Sequence, residues 1–380
     1  MTSILGRELP RAARILLLCL MAAIPVGYVL RSYSTESGFS RLVCFGSGFI
    51  GQALPQVRAC APATTTGTGY DGQFYCQVAT DPLLQNRQAL IEALDAPAYR
   101  ATRIFLPWLA YAAGLGRSCA IIQAYAVLNL GFWFLLLFGM NYFLRPRTIQ
   151  HFLCVFAVVM TSGALFSLHR ALVDLPAATL AFYAASLSGS GAVAAAVMML
   201  LTKETYVFAL PAVCWPVRKN RRLMVVRLAV ILAPLAVWYV YAHVRLGFTG
   251  VEANVSWPGV GPGGYLVQAW RHWYPKGMFN LRSTANLLAP ISLIVQACHL
   301  LVRRDTGSPY WRMGIGFVLV YLINTDMFDS QVSFTRVVIP LTVAFNIGLM
   351  KESGWQFVLW LVAGNAGLYW GLWKTLVAFF

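Results

Sequence analysis

Apolar runs close to the length that a lipid bilayer requires recur along this chain, and basic residues border most of them. The clearest runs occupy residues 15–30, 119–144, 149–168, 223–244 and 284–302. A spanning helix needs about 20 apolar residues, and inside a membrane only a helix or a closed barrel satisfies its own backbone. Only 11% of the residues are charged, against about 25% in an ordinary soluble protein. The sequence therefore predicts an all-α polytopic integral membrane protein.

The basic clusters predict the topology, because short cytoplasmic loops are rich in Lys and Arg. Arg7, Arg11 and Arg14 precede the first run, and no small-residue cleavage site follows it. We interpret this run as an uncleaved first helix with its N-terminus inside. The clusters at 145–147 and 218–222 are also expected to lie inside. These positions predict a single membrane domain over 1–380, a large first outer loop at 31–118 and a second outer loop at 245–283.

Shorter apolar stretches complete the predicted topology. The stretch 104–116 has 13 residues and a proline, so we expect an interfacial helix with Trp108 and Tyr111 at headgroup level. In the second outer loop, the Gly/Pro-rich middle is expected to be non-helical, followed by another interfacial helix at 265–274. Region 191–217 is either two short helices that meet near the outer face or one long helix that carries Lys203 and Glu204. The expected total is about eleven transmembrane segments.

The charges differ between the two predicted sides. The formal net charge of +16 is attributed to cytoplasmic loops that meet anionic lipid, and nucleic acid is not expected as a partner because no basic helix stands free of apolar flanks. Ten of the 13 acidic residues fall on the predicted outer side: Glu36, Asp71, Asp81, Glu92, Asp95, Asp174, Glu204, Glu252, Asp326 and Asp329. A transporter more naturally places ionisable groups near the midplane of repeated halves, and the sequence has no internal repeat. This asymmetry favours an enzyme that works at one leaflet.

Four local strings stand out: GYDGQFYCQVATDP (69–82), LDAPAYRATRIFLPWLAYAAGLG (94–116), ALVDLPAA (171–178) and LTKETYVFALP (201–211). They resemble the C-type (GT-C) membrane glycosyltransferases, and among them a bacterial subgroup linked to cell-surface glycopolymer formation. The resemblance spans most of the chain but is specific only in these four places. It implies a bacterial inner (plasma) membrane protein with a cytoplasmic N-terminus and a periplasmic active site. It also implies transfer of a sugar from a polyprenyl-phosphate donor to a glycan or lipid-linked acceptor.

The same resemblance implies a carboxylate of the first outer loop as the catalytic base, and by position in that loop the match is Asp71. No second acidic residue stands directly beside Asp71, so the paired-acid signature of some relatives is absent. A divalent metal is left open, and no His/Cys spacing is typical of a zinc site.

The residue types agree with this chemistry. A positioned carboxylate that takes a proton from a sugar hydroxyl contributes about 10²–10⁴-fold, and cations must meet the leaving phosphate. Tyr70, Phe74 and Tyr75 are expected to offer flat faces to a sugar, and Gly69 and Gly72 to let the backbone follow a ligand closely. The expected substrate-binding residues are Tyr70, Gln73, Phe74, Tyr75, Asp95, Arg100, Arg103, Asp174, Lys203, Glu204 and Arg336.

Structural alternatives remain for most of these residues. Asp71 and Asp95 could each cap a following helix, and Asp174 could be an ordinary acid in the first turn of a helix. Arg100 and Arg103 could only anchor a helix to headgroups. Lys203 and Glu204 could pair with each other, and Asp81-Pro82 is more typical of a turn or a helix start than of a catalytic site.

Eight cysteines and two other function classes complete the expectations. One disulfide is possible among Cys44, Cys60 and Cys76 in the first outer loop, while Cys119 and the others near spans are expected to be core residues. An oligosaccharide polymerase or ligase that uses lipid-diphosphate carriers would share the outer loops and basic patches. A lipid-linked sugar transporter would share the spans.

Overall fold

The protein is almost entirely helical over the residues that the structure, a computed structural model, describes. These are residues 5–215, 218, 220–247, 255–275, 280–369, 372, 373 and 376. Within them the strands are a single parallel pair, Phe45–Gly46 with Thr64–Thr65. The all-α class that the apolar runs predict is confirmed.

The described α-helices follow one another along the whole chain. They are α1 (Arg11–Arg31), α2 (Pro55–Arg58), α3 (Gly72–Thr80), α4 (Arg87–Ala93), α5 (Pro97–Ala101), α6 (Phe105–Ala113), α7 (Ser118–Leu144), α8 (Ile149–Val159), α9 (Ser162–His169), α10 (Asp174–Ser186), α11 (Gly189–Thr202), α12 (Leu210–Cys214), α13 (Arg221–Leu246), α14 (Val260–Trp273), α15 (Leu281–Arg303), α16 (Pro309–Ile323), α17 (Gln331–Val337), α18 (Ile339–Leu349) and α19 (Gly354–Asn365). Short 3-10 turns connect some of them, at Ser40–Val43, Ile50–Gln52, Glu204–Ala209, Asp326–Asp329 and Ala366–Leu368.

Four of these helices, α1, α7, α13 and α15, are long and apolar enough to cross a membrane, with mean hydropathy between 1.8 and 2.2. Helix α13 shows why lipid is required: only 6% of its most apolar window is buried within the protein. Such an exposed apolar surface is unfavourable in water. These helices fit a multi-pass membrane protein.

Two further candidate spans are broken. Helices α8 and α9 meet at 45°, and α17 and α18 meet at 64°. Counting each bent pair as one span raises the total to six in the described part of the chain, so the expected eleven segments are not confirmed. The reason is length, because other apolar helices such as α11 and α16 have only 14 and 15 residues.

Region 191–217 contains two short helices and not one long helix, as far as its described residues extend. Helix α11 ends at Thr202, Lys203 is extended, and a 3-10 turn over Glu204–Ala209 leads into the short helix α12. The preceding apolar run forms α10, of 13 residues. The chain therefore breaks its helix where the charged pair of residues occurs.

Segment 31–118 folds onto the helices instead of forming an isolated loop. The helix expected at 104–116 is observed as α6, whose Trp108 and Tyr111 are 44% and 39% exposed; its place at the membrane interface stays a prediction. The neighbouring helices α3 and α7 pack against it. This packing fixes the positions of residues 69–82 and 94–116, which contain several of the expected site residues.

Two expectations about this part of the chain and the second loop are wrong. Cys60 pairs with Cys119, not with Cys44 or Cys76, because Cys119 lies at the start of α7, where the segment closes on itself. Helix α14 begins at Val260 and so includes most of the Gly/Pro-rich stretch; a proline in the first turn gives up no helical hydrogen bond. Residues 248–254 and 276–279 of the second loop, and Lys219 of the basic cluster, lie outside the described residues.

The disulfide provides a first test. Cys60→Ser and Cys119→Ser should lower the melting temperature in detergent equally, since each removes the same cross-link, and a cross-link of this kind contributes about 2–4 kcal/mol. Cys298→Ser, at an exposed free cysteine, is the control and should leave it unchanged. Maleimide labelling of the denatured protein should find six thiols before reduction and eight after it. Eight labelled thiols without reductant would contradict the pairing.

Candidate functional site

Four acidic and four basic side chains, drawn from distant parts of the chain, meet at one end of the helices. We call this group the charged cluster and the end where it lies the site end. The acids are Asp71, Asp95, Asp174 and Glu204, and the bases are Arg100, Arg103, Lys203 and Arg336. All eight are among the expected site residues; seven of them lie in the four sequence strings, and Arg336 lies outside them.

Asp71 lies at the centre of the charged cluster, just before α3. Its two carboxylate oxygens each accept a hydrogen bond at 3.1 Å, one from Arg100 and one from Arg336. Its side chain makes no capping hydrogen bond to α3, so the capping alternative is wrong. Both carboxylate oxygens of Asp71 are therefore hydrogen-bonded to guanidinium groups.

Two glycines hold the backbone around Asp71 against the rest of the protein. Gly69 has a φ of +72°, and a Cβ there would lie 2.4 Å from the backbone nitrogen of Gly46. A Cβ on Gly72 would lie 2.2 Å from the carbonyl oxygen of Arg170. The close approach that these glycines permit is therefore to the chain's own backbone, not to a ligand, and it fixes the start of α3.

Arg100 is held from three directions. It donates to both oxygens of Asp95, at 2.8 and 2.7 Å, and to the hydroxyl of Tyr75 at 3.1 Å. Only 8% of the residue is exposed, so it is not a headgroup anchor. Asp95 makes this ion pair and is not a helix cap, because no side chain caps α5.

Arg103 forms the equivalent pair with Glu204. Its guanidinium donates to the two carboxylate oxygens at 3.0 and 2.6 Å, and also to the hydroxyls of Tyr75 and Tyr99. Only 4% of Arg103 is exposed, so the anchor alternative fails for it as well. Tyr75 thus receives a hydrogen bond from both arginines and holds their guanidinium groups in a fixed relation.

Tyr99 was not among the expected site residues, although it directly precedes Arg100 in the string APAYR. Arg103 lies one helical turn later, and its guanidinium stands 4.3 Å from the centre of the Tyr99 ring. The Arg103 charge acts to lower the pKa of Tyr99, but burial and Glu204 raise this pKa to about 12. Tyr99 is therefore neutral at physiological pH.

Lys203 and Glu204 do not pair with each other. The ammonium group of Lys203 donates to Asp174 at 2.5 Å, and both side chains are buried. Asp174 also accepts from Arg336 at 3.3 Å, so its place in the first turn of α10 is only part of its role. Because the helix breaks at Lys203, the side chains of Lys203 and Glu204 reach different partners although they are adjacent in the chain.

Arg336 connects Asp71 to Asp174 and comes from α17, the first half of a bent pair. Gly163 of α9 permits the close packing of the two broken spans, since a Cβ there would lie 2.3 Å from the carbonyl oxygen of Thr335. The Nε atom of Arg336 is buried and has no hydrogen-bond partner among the described residues. One donor of this guanidinium is therefore unused.

The charge balance of the cluster determines the state of Asp71. Burial acts to raise the pKa of Asp71, but attraction to Arg100 and Arg336 outweighs it and lowers this pKa below the ordinary value. Asp71 is therefore ionised at neutral pH.

The remaining expected residues are placed differently. Phe74 and Tyr75 are 4% and 1% exposed, so neither ring presents a face to a sugar; Tyr70 is partly exposed. Gln73 is buried and uses its side-chain amide to bind the backbone at Gly46 and Thr68. Gln73, Phe74 and Tyr75 therefore contact other parts of the protein instead of facing a ligand.

A groove lined by apolar side chains starts at Ile104, the residue that follows Arg103 in the chain. It measures about 720 Å³ and runs between α6, α11 and α13. Its lining residues are Ile104, Phe105, Trp108, Leu201, Val230, Ala233, Pro234, Val237 and Trp238. This groove could not be predicted from the sequence, because it is formed by three apolar segments that lie far apart in the chain.

A polar groove of about 510 Å³ lies on the α17 side of the cluster, between α14 and α15. Its lining includes His272, Asn286, Asp329 and Gln331. Gln331 is the first residue of α17, the helix that carries Arg336. The two residues are five positions apart, or roughly 7.5 Å along the helix axis. The charged cluster therefore shares α17 with the polar groove, and its Arg103 directly precedes the first lining residue of the apolar groove.

The acids of the site are matched to bases and do not assemble a metal site of their own. Within the described residues no group of three or more His, Cys, Asp or Glu side chains could hold a metal ion. Asp81 lies apart from the cluster and accepts hydrogen bonds from the backbone of Gln85 and Asn86, which agrees with the turn interpretation.

No family model, curated protein or solved structure matches this chain. The function of the site must therefore be argued from its geometry and from the residues themselves.

Two lysine–aspartate pairs test how much the buried charges contribute. Lys203 and Lys351 each donate to an Asp at 2.5 Å, but their side chains are 7% and 67% exposed. Lys203→Met should destabilise the protein by about 3 kcal/mol, since it leaves the buried Asp174 short of a partner. Lys351→Met should cost less than about 1 kcal/mol. Melting temperatures in detergent measure both, and equal losses would contradict the assigned burial.

Proposed function

We propose that this protein is a membrane glycosyltransferase of the inverting type. It transfers a hexosyl or pentosyl group from a polyprenyl-phosphate-linked donor to a cell-surface glycan or lipid-linked acceptor, at the outer face of a bacterial inner membrane. The observation that carries the proposal is the charged cluster together with two grooves, an apolar one that starts at the residue after Arg103 and a polar one that shares α17 with Arg336. A lipid-borne phosphate and a carbohydrate need these three environments side by side.

The donor side of this arrangement is the apolar groove with its adjacent arginines. A polyprenyl chain is a hydrocarbon, so it gains free energy by leaving water or by replacing lipid against an apolar surface. The groove starts at Ile104, directly after Arg103 in the chain, so a phosphate at its end would meet guanidinium groups. Guanidinium binds phosphate through two parallel hydrogen bonds.

The acceptor side is the polar groove. Amide, carboxylate and imidazole side chains line it, and these groups match the hydroxyls of a sugar as donors and acceptors. The groove shares α17 with Arg336, and Arg336 reaches Asp71. An acceptor hydroxyl entering from this side would approach the same carboxylate that faces the donor arginines.

Asp71 acts as the base in this proposal. The acceptor hydroxyl gives its proton to Asp71 and its oxygen attacks the anomeric carbon, while the bond from that carbon to the phosphate oxygen breaks. The leaving polyprenyl phosphate gains negative charge, which Arg100 and Arg103 compensate. As the phosphate draws a guanidinium away from Asp71, the pKa of the carboxylate rises toward that of a better base.

Two observations support an outer location for the site end. The disulfide Cys60–Cys119 lies in the segment that carries Asp71, and disulfides persist in oxidising compartments such as the periplasm. The opposite end of the helices carries the basic residues Arg147, Arg303 and Arg304, as cytoplasmic ends do. The clustering of charge at one end also supports an enzyme over a transporter, which needs polar groups near the midplane.

The decisive test separates the base from a structural partner of Arg100. Asp71→Asn keeps the shape and can still accept from the arginines but cannot take a proton, so transfer should fall by about 10²–10⁴-fold. Asp95→Asn is the matched control, because Asp95 is bonded to the same Arg100 through both of its oxygens. It should reduce transfer much less.

The measurement uses purified protein with polyprenyl-phosphate hexoses and pentoses, together with the mass of the surface glycan in a deletion strain complemented by each variant. Folding is checked by melting temperature. If Asp71→Asn complements as well as the wild type, Asp71 is not the base. If Asp95→Asn loses as much transfer as Asp71→Asn, the cluster acts through Arg100 instead.

Sidedness has its own test. Single cysteines are introduced at Thr66, exposed in the first segment, or at Arg304, exposed at the opposite end, after the exposed Cys19 and Cys298 are replaced by Ser. An impermeant maleimide added to intact cells should label position 66 and spare position 304 until the membrane is opened. The reverse pattern would place the site end in the cytoplasm.

A further inference from the structure

A second pocket lies at the end of the helices opposite the charged cluster. It measures about 390 Å³ and forms where α10 meets α11, beside the starts of α13 and α16. Along α10, the first lining residue, Ala184, comes ten residues after Asp174, or roughly 15 Å along the helix axis. Nothing in the proposed transfer reaction uses it.

Three arginines line this pocket: Arg218, Arg227 and Arg312. Arg218 and Arg312 lie over the same indole ring, with their guanidinium carbons 4.3 and 4.9 Å from the centre of the Trp215 ring. Two like charges beside one ring repel each other, so this arrangement is most favourable when an anion joins them.

Apart from the Trp215 ring, the arginines are held by hydrogen bonds to backbone carbonyls, as far as the described residues extend. Arg218 donates to Trp215, Arg227 to Val213, and Arg312 to Thr306 and Gly307. No Asp or Glu is among the described lining residues. Asp305 lies nearby but is bonded to Lys351 at 2.5 Å. The positive charge of the pocket is therefore not neutralised by an ion pair.

Arg312 has a hydrogen-bond donor that lacks an acceptor. The residue is only 9% exposed, and its buried Nε atom has no hydrogen-bond partner within the described residues. A buried guanidinium N–H without an acceptor is costly. The Arg312 guanidinium is therefore short of one acceptor.

The N-terminus of α11 also faces this pocket. Ser188 and Gly189 line it, no side chain caps the helix, and a Cβ built on Gly189 would meet no atom within 4 Å. The open space is therefore next to uncapped backbone N–H groups, which favour anions.

We propose that Arg218, Arg227 and Arg312, together with the N-terminus of α11, form a binding site for a phosphate monoester group. Guanidinium forks and helix N-termini are the two protein groups best suited to phosphate oxygens. Three arginines match the charge of a monoester better than that of a zwitterionic headgroup. The phosphate belongs either to an anionic lipid such as phosphatidic acid or to a small soluble phosphate.

The test measures binding to purified full-length protein in neutral detergent. Dihexanoyl phosphatidic acid, dihexanoyl phosphatidylcholine and inorganic phosphate are titrated separately by calorimetry, with the shift in melting temperature as a second readout. Wild-type protein should bind phosphatidic acid, and Arg227→Gln and Arg312→Gln should each raise its Kd by about tenfold or more. Arg304→Gln removes one charge from the same end without lining the pocket and should leave the Kd unchanged.

The outcomes separate the two sources of phosphate. Arginine-dependent binding of both phosphatidic acid and inorganic phosphate supports a site for the phosphate group itself, and binding of phosphatidic acid alone supports a lipid site. No binding of either, equal binding of phosphatidylcholine, or equal affinity in the arginine variants overturns the proposal. If Arg312→Gln does not fold, Arg218→Gln carries the same comparison, since Arg218 is exposed.

Discussion

Arg336 is the side chain on which the arrangement of the site depends. It binds Asp71 and Asp174, which are 265 and 162 residues away in the sequence, and so ties segment 31–118 to the broken helices. A guanidinium can do this because it is planar and presents several donors in fixed directions. The bend between α17 and α18 brings Arg336 to this position, and the contact of Gly163 with the backbone at Thr335 holds the bend close to α9.

Balance between acids and bases explains how so many charges persist at low exposure. Each carboxylate of the charged cluster meets a cation, and an unpaired charge in such surroundings would be strongly destabilising. The same balance makes the cluster responsive to an incoming anion. A phosphate that competes for Arg100 would loosen its bond to Asp71 and change the basicity of this carboxylate, so binding of the donor and activation of the base are coupled in the proposed mechanism.

The two ends of the protein use arginine in opposite ways. At the site end the guanidinium groups are paired with carboxylates and held by Tyr75 and Tyr99, which fixes their geometry before any ligand binds. At the other end Arg218, Arg227 and Arg312 are held by carbonyl groups and keep their net charge. A preorganised neutral cluster suits a reaction in which charge moves, whereas an uncompensated cluster suits binding of an anion.

The sequence by itself determined the helical class and the strongest membrane-crossing candidates, because apolar length is a local property. It also singled out the eight charged residues, without showing that they meet. The sequence did not determine which side chains form ion pairs or which cysteines form the disulfide. Lys203 and Glu204 are adjacent in the chain but bind Asp174 and Arg103, and Cys60 binds Cys119, since these partners are chosen by how the helices pack. The bends, the burial of Phe74 and Tyr75 and both grooves were likewise decided only by tertiary structure, because each is formed by side chains from segments far apart in the sequence.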